Sequence, residues 1–251
     1  MQLLINDVKL NYTKDGQNKQ AVILMHGWGQ NIEMMKPVAD HLSPHFTVYN
    51  LDLPGFGASE APKIVWGVEE YTAMLKEFIQ INDIEDPIII AHSFGVRIAL
   101  LYAANNPVHK LVLTGGAGIL PKRGLKYYLK IYTYKLGKLI LSLPGLNKYK
   151  EKYQQASGSE DYKALSGVMR SSFVKIVNLD LTPILKDVKA ETLLVWGDLD
   201  DATPLWMAKV MEKQLPNAGL AIFKNEGHYA YWNQMSRFLS VIDIFLKEDK
   251  L

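Results

Sequence analysis

The stretch that most constrains the fold of this chain is residues 87–95, PIIIAHSFG. Three consecutive isoleucines without polar alternation are typical of a strand buried on both faces, as in a parallel sheet. The apolar spacing after Gly95 is typical of a helix. We therefore predict a buried strand, a sharp turn with Ser93 at its apex, and a helix. Strand and helix can pass closely only if the residues two before and two after the serine are small, and Ala91 and Gly95 meet that condition.

This stretch resembles the nucleophile elbow of the α/β-hydrolase family, whose pattern is Gly-x-Ser-x-Gly. Ala91 stands where the family has its first glycine, which is a departure from the pattern. The resemblance implies a mostly parallel, doubly wound sheet of about eight strands with a mainly helical cap inserted after the sixth strand. It also implies that Ser93 is a nucleophile.

Size and composition fit an α/β domain with an insertion. The chain has 251 residues, of which 48% are hydrophobic and 22% charged, as is ordinary for a globular protein, and no apolar run approaches the length of a membrane span. The first residues lack the basic and apolar regions of an export signal. The lack of cysteine excludes disulfides, thiolate metal ligands and a cysteine nucleophile. We therefore expect a cytoplasmic protein.

A glycine-rich loop, HGWG at residues 26–29, follows a predicted strand at residues 21–25. Taken alone, this loop is as consistent with a plain turn between strand and helix as with a functional loop. In the α/β-hydrolase family the corresponding loop directs a backbone N–H at a developing oxyanion, and the resemblance assigns that N–H to Trp28 and a second one to Phe94. We expect four further residues of these loops to line the substrate pocket: His26, Gly27, His92 and Tyr229.

Two later loops supply candidate partners for the serine. A predicted strand at residues 192–196 runs into GDLDD, where the family pattern Gly-x-x-Asp selects Asp200, although Asp198 and Asp201 are close enough to be confused with it. After the last predicted strand, His228 matches the Gly-His loop that carries the family's base. Serine, acid and histidine thus occur in the order of this family, each directly after a strand. The resemblance implies a catalytic triad of Ser93, Asp200 and His228.

Residues 52–59, DLPGFGAS, also resemble a segment of the family. Proline and glycine explain the turn by themselves, because each adopts the backbone angles that turns require. We therefore interpret Asp52 and Ser59 as residues that hold the loop backbone.

The predicted triad is suited to acyl transfer. A neutral histidine takes the serine proton, the aspartate holds the histidine tautomer, and water then hydrolyses the acyl-enzyme. This mechanism requires no metal or organic cofactor, and the sequence shows no ligand cluster or phosphate loop that would imply one. We predict a serine hydrolase, and specifically a carboxylesterase that acts on a small or medium acyl substrate.

Three alternatives to the carboxylesterase stay open. A carbon–carbon bond hydrolase for ring-cleavage products and a thioesterase would use the same residues, and a ligand receptor or signalling protein can be built on the same fold. A serine nucleophile argues against haloalkane dehalogenases and epoxide hydrolases, whose covalent ester forms on a carboxylate. A proline-releasing aminopeptidase needs acidic groups that the insertion after the sixth strand largely lacks.

The insertion differs in charge from the rest of the chain. Residues 119–178 contain twelve Lys and Arg against three Asp and Glu, a net charge of +9, which leaves −7 on the remainder of a chain of +2. We predict a core of residues 1–114 and 182–251 and a cap of residues 115–181. Apolar residues recur at helical spacing from Leu125 to Leu143, and we expect this face to cover the pocket.

The basic cap has other interpretations that we do not favour. Contact with an anionic substrate or a membrane surface would suit an amphipathic basic helix, but solvated lysines on a lid explain the same charges more simply. Nucleic acid is not expected as a partner, because no recognition motif accompanies the charge and the overall balance is near neutral. The sequence carries no signal for an oligomeric state.

Overall fold

The computed structural model describes residues 1–120, 125–142, 149 and 166–250. Its strands are, in chain order, Gln2–Ile5 (β1), Val8–Asp15 (β2), Ala21–Met25 (β3), Thr47–Leu51 (β4), Ile88–His92 (β5), Lys110–Thr114 (β6), Glu191–Gly197 (β7) and Ala218–Phe223 (β8). They form one sheet in the order β1-β2-β4-β3-β5-β6-β7-β8. The pairs β1–β2 and β2–β4 are antiparallel, and every pair from β4–β3 to β7–β8 is parallel. The predicted mostly parallel, eight-stranded sheet is confirmed.

Helices cover both faces of this sheet. They are Lys36–Leu42 (α1), Val68–Ile81 (α2), Phe94–Ala103 (α3), Leu125–Ile140 (α4), Gly167–Val177 (α5), Leu205–Gln214 (α6), Ala230–Asn233 (α7) and Met235–Phe245 (α8). Neighbouring residues of a strand point to opposite faces. Ile89 of β5 packs with α2 and α3, whereas Ile88 and Ile90 pack with α1 and α8. An uninterrupted isoleucine run is therefore buried on two sides, which confirms the doubly wound arrangement.

Two helices differ from the periodicity of the sequence. Apolar spacing from residue 33 to residue 42 suggests one helix, but the structure has a 3₁₀ turn at Ile32–Met34 before α1, because Pro37 lacks the N–H that would continue the ladder of hydrogen bonds. A short helix that the periodicity does not indicate, α7, precedes the closing helix α8, which is expected at about residues 233–246. The two helices are separated at Gln234, whose φ of −116° and ψ of 49° are not helical. Its side chain donates to Glu226 at 2.8 Å, which holds the break in place.

One edge of the sheet collects the candidate catalytic residues. The strands β3, β5, β7 and β8 are parallel, so their carboxyl ends lie at the same edge. The loops that follow these four strands carry Trp28, Ser93, Asp200 and His228, respectively. Residues that are up to 200 positions apart in the sequence are brought together there.

The helices α4 and α5 belong to the insertion that we predicted at residues 115–181, and the boundaries of core and cap stay a prediction. Among the described residues, the apolar side chains on the predicted face of α4 are between 47% and 68% exposed: Leu129, Tyr132, Leu136, Leu139 and Ile140. Leu143 lies outside the described residues. The expectation that this face covers the pocket is wrong at the five exposed positions. Side chains of α5 line the pocket instead. None of the described helices is long and apolar enough to cross a membrane.

Candidate active site

The turn between β5 and α3 holds Ser93 in a backbone conformation that residues other than glycine rarely adopt, with φ of 48° and ψ of −102°. Hydrogen bonds fix the turn on both sides. The Ser93 N–H donates to the Thr114 carbonyl of β6 at 3.0 Å, and the Ser93 carbonyl accepts from the N–H groups of Val96 and Ala117 at 3.2 Å. The hydroxyl is thereby held at the apex, between the sheet and the first turn of α3.

The two small residues of the turn have different importance. A Cβ atom on Gly95 would lie 2.8 Å from the Met25 carbonyl oxygen and 3.0 Å from that of His26, so β3 and α3 can approach only if this residue is glycine. Ala91 is fully buried in β5, and its methyl group is accommodated while Ser93 keeps its positive φ. The alanine at the family's first glycine position therefore leaves the turn intact.

Three side chains form a continuous series of hydrogen bonds at the carboxyl edge of the sheet. The Ser93 Oγ lies 2.9 Å from His228 Nε2, and His228 Nδ1 lies 2.9 Å from Asp200 Oδ2. A carboxylate can only accept, so Nδ1 carries the ring proton and Nε2 is free to accept the proton of Ser93. The structure thus brings the three predicted triad residues together in the geometry of a nucleophile, a base and an orienting acid.

Asp200 is fixed from several directions. Its Oδ1 accepts from the N–H groups of Ala202 at 3.0 Å and Thr203 at 2.8 Å, and its Oδ2 accepts from the Thr203 hydroxyl at 2.8 Å. Burial would raise the pKa of Asp200, but the hydrogen bond and charge of His228, together with Thr203, outweigh it and hold the pKa below its ordinary value. The carboxylate is therefore ionised and rotationally fixed behind the imidazole.

The neighbouring acids do not reach the histidine. Asp198 pairs with Lys224 at 3.2 Å and accepts from the Asn225 N–H at 2.7 Å. Asp201 is exposed on the wall of the adjoining cavity, and it has no hydrogen bond or ion pair with another described residue. The ambiguity between three aspartates in the sequence is thus resolved in favour of Asp200.

Trp28 and Phe94, whose backbone N–H groups we predicted to bind an oxyanion, both line a cavity beside Ser93. Trp28 follows β3 and Phe94 begins α3, and neither N–H donates to an acceptor within the described part of the chain. The Trp28 ring is held by three aromatic neighbours, with ring centroids at 4.8 Å from Phe56, 5.2 Å from Phe94 and 5.1 Å from Phe173. This packing holds Trp28 in place beside Ser93, and its role in an oxyanion hole stays a prediction.

A cavity of about 460 Å³ opens beside Ser93. Three of the predicted pocket residues line it, namely Gly27, His92 and Tyr229. The side chains Phe173, Ile176 and Val177 of α5 form another part of its wall, together with Ile119 and Met207. The wall is thus largely apolar, as is usual for a site that takes a small organic molecule.

His26 does not lie on the cavity wall, contrary to our expectation. Its ring is fully buried, Nε2 accepts from the Leu53 N–H at 3.0 Å, and Nδ1 therefore donates to the Gly27 carbonyl at 2.7 Å. Burial lowers the pKa of His26 to about 4. This neutral ring joins the loops after β3 and β4 and packs against Phe56.

His92, which precedes the serine, is also held neutral. It is fully buried, donates from Nδ1 to the Thr114 carbonyl at 3.0 Å and packs against His228 with ring centroids 4.8 Å apart. Burial, followed by the nearby His228, lowers the pKa of His92 to about 3. A neutral ring here adds no positive charge beside the candidate base.

Several residues that form the site were not predicted from the sequence. Thr203 had a local signal, because a threonine three residues after an aspartate commonly bonds back to it. The α5 side chains had none, since their position over the elbow depends on the tertiary fold. Arg97 could have been noticed as a charged residue in an otherwise apolar predicted helix, and it also lines the cavity.

The loop after β4 has the structural role that we inferred. Asp52 accepts from the N–H groups of Ile32 and Ala58 at 2.8 and 2.9 Å and from the Asn11 side chain at 2.8 Å. The Ser59 hydroxyl donates to the Asp52 carbonyl at 2.6 Å. All of these contacts join backbone segments, and neither residue lines the cavity.

Comparison with known proteins gives a match to the model of the alpha/beta hydrolase fold over residues 20–234. A pimeloyl-[acyl-carrier protein] methyl ester esterase of Proteus mirabilis is 25% identical, over 92% of this chain and 94% of its own length. A 2-hydroxy-6-oxononadienedioate/2-hydroxy-6-oxononatrienedioate hydrolase of Dechloromonas aromatica is 26% identical, over 96% and 91%. Among solved structures, a meta-cleavage product hydrolase of Pseudomonas fluorescens superposes with a TM-score of 0.75 at 20% identity, covering 99% of this chain and 97% of that one.

Proposed function

The chain belongs to the α/β-hydrolase family, and we propose on that premise that it is a serine hydrolase that cleaves carboxylic esters, with Ser93, Asp200 and His228 as its catalytic residues. The observation that carries the proposal is the series of hydrogen bonds from Asp200 through His228 to Ser93, each 2.9 Å long, at the wall of a largely apolar cavity. The methyl ester esterase of Proteus mirabilis supports the ester as substrate class.

The geometry defines the first step of the reaction. His228 Nε2 takes the proton of Ser93 Oγ while the oxygen attacks the ester carbonyl carbon, and the carbonyl electron pair moves onto its oxygen. The N–H groups of Trp28 and Phe94 then bond to this oxyanion, and each such donor lowers the barrier by about 3 kcal/mol. Asp200 stabilises the imidazolium without taking its proton.

Two further steps release the alcohol and regenerate the serine. His228 gives its proton to the departing alkoxide oxygen, and the carbon–oxygen bond to the alcohol breaks, leaving an acyl-enzyme on Ser93. Water, deprotonated by the same nitrogen, attacks the acyl carbon, and the serine oxygen leaves with the returned proton. The role of His92 in these steps is to stay uncharged beside His228.

A second candidate function is the hydrolysis of a carbon–carbon bond in ring-cleavage products. It is supported by the relative from Dechloromonas aromatica, whose name gives 2-hydroxy-6-oxononadienedioate and 2-hydroxy-6-oxononatrienedioate as its substrates. The same three residues would serve, so the two candidates differ in the substrate that the cavity admits. We also propose that residues 115–181 form the cap of this cavity, since α5 lies within that range and supplies part of its wall.

Hydrolysis of p-nitrophenyl esters of graded acyl length tests the proposal. We expect the wild type to be active with an optimum at one chain length, and Ser93→Ala and His228→Ala to lose activity by several orders of magnitude. Ser240→Ala, an exposed serine of α8, is the matched control and should retain full activity. A fluorophosphonate should label the wild type and Ser240→Ala but not Ser93→Ala.

Two outcomes would change the assignment. The second candidate would be favoured by a wild type that hydrolyses no p-nitrophenyl ester but is labelled at Ser93 and bleaches the absorbance of a 2-hydroxy-6-oxo dienoate. Absence of both labelling and turnover would overturn the serine hydrolase proposal and favour the receptor alternative.

A further inference from the structure

Arg97 lies in the first turn of α3, four residues after Ser93, and lines the same cavity. Residues four apart lie on the same helix face, about 6 Å apart along the axis. Helical side chains also lean toward the N-terminus of their helix. The guanidinium of Arg97 is therefore directed back toward the cavity in which Ser93 stands.

The surroundings of Arg97 supply few hydrogen-bond acceptors for its guanidinium. The residue is 6% exposed, and within the described residues its guanidinium makes one hydrogen bond, from Nη1 to the Leu179 carbonyl at 2.9 Å. A guanidinium has five N–H donors. Burial lowers the pKa of Arg97 to about 10, so the group stays charged at neutral pH.

Neither nearby acid neutralises this charge by direct contact. Asp180 is exposed, and its Oδ1 accepts from the N–H and the hydroxyl of Thr182, at 3.1 and 2.6 Å. Asp201 lies on the cavity wall, but no ion pair joins it to Arg97 in the described part of the chain. A buried charge without a bonded counter-ion is costly. The charge of Asp180 raises the pKa of Arg97 without a bonded contact, and the helix dipole disfavours a cation in the first turn. An anion bonded directly to the guanidinium would therefore be stabilised here.

We propose that Arg97 binds a carboxylate of the substrate, and that the substrates of this cavity are esters that carry a second, ionised carboxyl group. A carboxylate accepts two parallel hydrogen bonds from the planar guanidinium, which fixes the substrate relative to Ser93 as well as attracting it. The first turn of α3 then serves two anionic groups, the oxyanion at the Phe94 N–H and the carboxylate at Arg97. The inference rests on the proposed function, because it names the substrate class of the same site.

The wild type gives the first test. The p-nitrophenyl hemiesters of succinic, glutaric and adipic acids are compared with the neutral p-nitrophenyl esters of butyric, valeric and caproic acids. A second arm places the carboxylate on the alcohol side, with carboxymethyl butyrate against ethyl butyrate. In one of the two arms we expect kcat/KM to be at least about 30-fold higher for the ester with a carboxylate than for its neutral counterpart, as for a buried, hydrogen-bonded charge pair. No preference in either arm would overturn the inference.

Variants assign the preference to Arg97. In Arg97→Met the ratio of kcat/KM values within the preferred pair should fall toward one, and in Arg97→Lys it should be intermediate, because lysine keeps the charge but not the fork. Lys213→Met, on the exposed side of α6 and away from the cavity, removes the same charge and should leave the ratio at its wild-type value. Thermal unfolding and fluorophosphonate labelling of Ser93 show which variants are folded. If Arg97 only anchors Leu179, Arg97→Met will unfold at lower temperature while the ratio stays unchanged, and the inference fails.

Calorimetry separates this inference from the proposed function. Glutarate is titrated into Ser93→Ala and into Ser93→Ala combined with Arg97→Met, neither of which needs to turn over an ester. Binding that is lost with Arg97→Met supports the carboxylate site even if no ester is hydrolysed. Active turnover of neutral esters together with no glutarate binding to Ser93→Ala would support the proposed function and overturn the carboxylate site.

Discussion

Asp200 shows how much of the candidate site depends on the surroundings of one side chain. Four hydrogen bonds reach its carboxylate, from the two backbone N–H groups of Ala202 and Thr203, from the Thr203 hydroxyl and from His228. They leave one orientation in which Oδ2 faces the imidazole. The tautomer of His228, and with it the ability of Nε2 to accept a proton, follows from that orientation.

Replacement of Asp200 by asparagine should therefore separate geometry from charge. We expect Asp200→Asn to fold but to lose about 10⁴-fold in kcat, because an amide can donate to Nδ1 and so favour the wrong tautomer. The measurement is kcat on the best p-nitrophenyl ester. Asp187→Asn, at an exposed acid that does not line the cavity, is the control and should change kcat by less than about twofold, as for a surface substitution remote from the three proposed catalytic side chains. Equal losses in the two variants would contradict the assignment of the acid.

The partners of two histidines could not be predicted from the sequence. The sequence shows His41 and His109 without visible partners, whereas the structure pairs His41 with Asp243 and His109 with Asp249, each at 2.7 Å. The partners are 202 and 140 positions away along the chain. No local pattern can predict such pairs, since they depend on which chain segments meet at the surface of the folded sheet.

At the scale of elements, the crossing of β3 and α3 depends on Gly95. We expect Gly95→Ala to destabilise the protein by about 1–3 kcal/mol, because the added methyl group meets the backbone of Met25 at 2.8 Å and the neighbours cannot simply rotate away. The same displacement should slow fluorophosphonate labelling of Ser93. Urea unfolding and labelling rates measure the two effects. Gly219→Ala in β8, where a Cβ would meet nothing within 4 Å, should be close to neutral.

The helix α5 is attached to the core through polar contacts near the start of α2. The buried Ser172 hydroxyl accepts from the Trp66 N–H at 3.0 Å, and Lys175 pairs with Glu70 at 2.8 Å. We expect Ser172→Ala to cost about 1–3 kcal/mol, because it leaves a buried N–H without an acceptor. It should also raise KM, since the neighbouring Phe173 lies on the cavity wall.

The adjacent serine provides the control for this prediction. Ser171 is exposed and bonds only within its own helix, so Ser171→Ala should leave both the melting temperature and KM near their wild-type values. A Ser172→Ala variant that melts and binds like the wild type would show that α5 is held by its apolar contacts alone.

The strands could be predicted from the sequence more completely than the helices. The strand β3 has the predicted boundaries and β7 extends one residue beyond them at each end, since a buried parallel strand is a continuous apolar run between turn residues. The helix boundaries are governed by single residues such as Pro37 and Gln234, whose effect depends on the backbone around them. The cap was located by its charge, but which helix lies over Ser93 depends on contacts such as that of Phe173 with Trp28.

At the scale of the whole molecule, a 3₁₀ turn near residue 250 is bonded to the beginning of β6. Asp249, in the 3₁₀ turn Lys247–Asp249, accepts from the buried Lys110 ammonium and from His109, both at 2.7 Å. Burial would raise the pKa of Asp249, but Lys110 and His109 outweigh it and hold the pKa below its ordinary value. Asp249 therefore contributes stability above the unfolded-state pKa of about 3.9, and the contribution is lost as pH falls through the lower, folded-state pKa.

Asp249→Asn should remove this contribution. We expect a loss of about 2 kcal/mol at neutral pH, because the Lys110 ammonium loses its charged acceptor. The difference from the wild type should shrink as the pH is lowered through the acid range, with unfolding free energies measured by urea at each pH. Glu248→Gln, exposed and adjacent, makes the same change in charge and should cost little at any pH. A pH-independent difference for Asp249→Asn would contradict the linkage.

The placement of His228 after β8, at the edge of the sheet, has a consequence for biosynthesis. Synthesis proceeds from the N-terminus, so Trp28 and Ser93 leave the ribosome before β8 and the histidine that follows it have been made. A nascent chain that already contains the serine turn has no group to deprotonate it. If the proposed roles are correct, a chain that lacks the β7–β8 pair cannot hydrolyse esters, and it stays inert while it is being made.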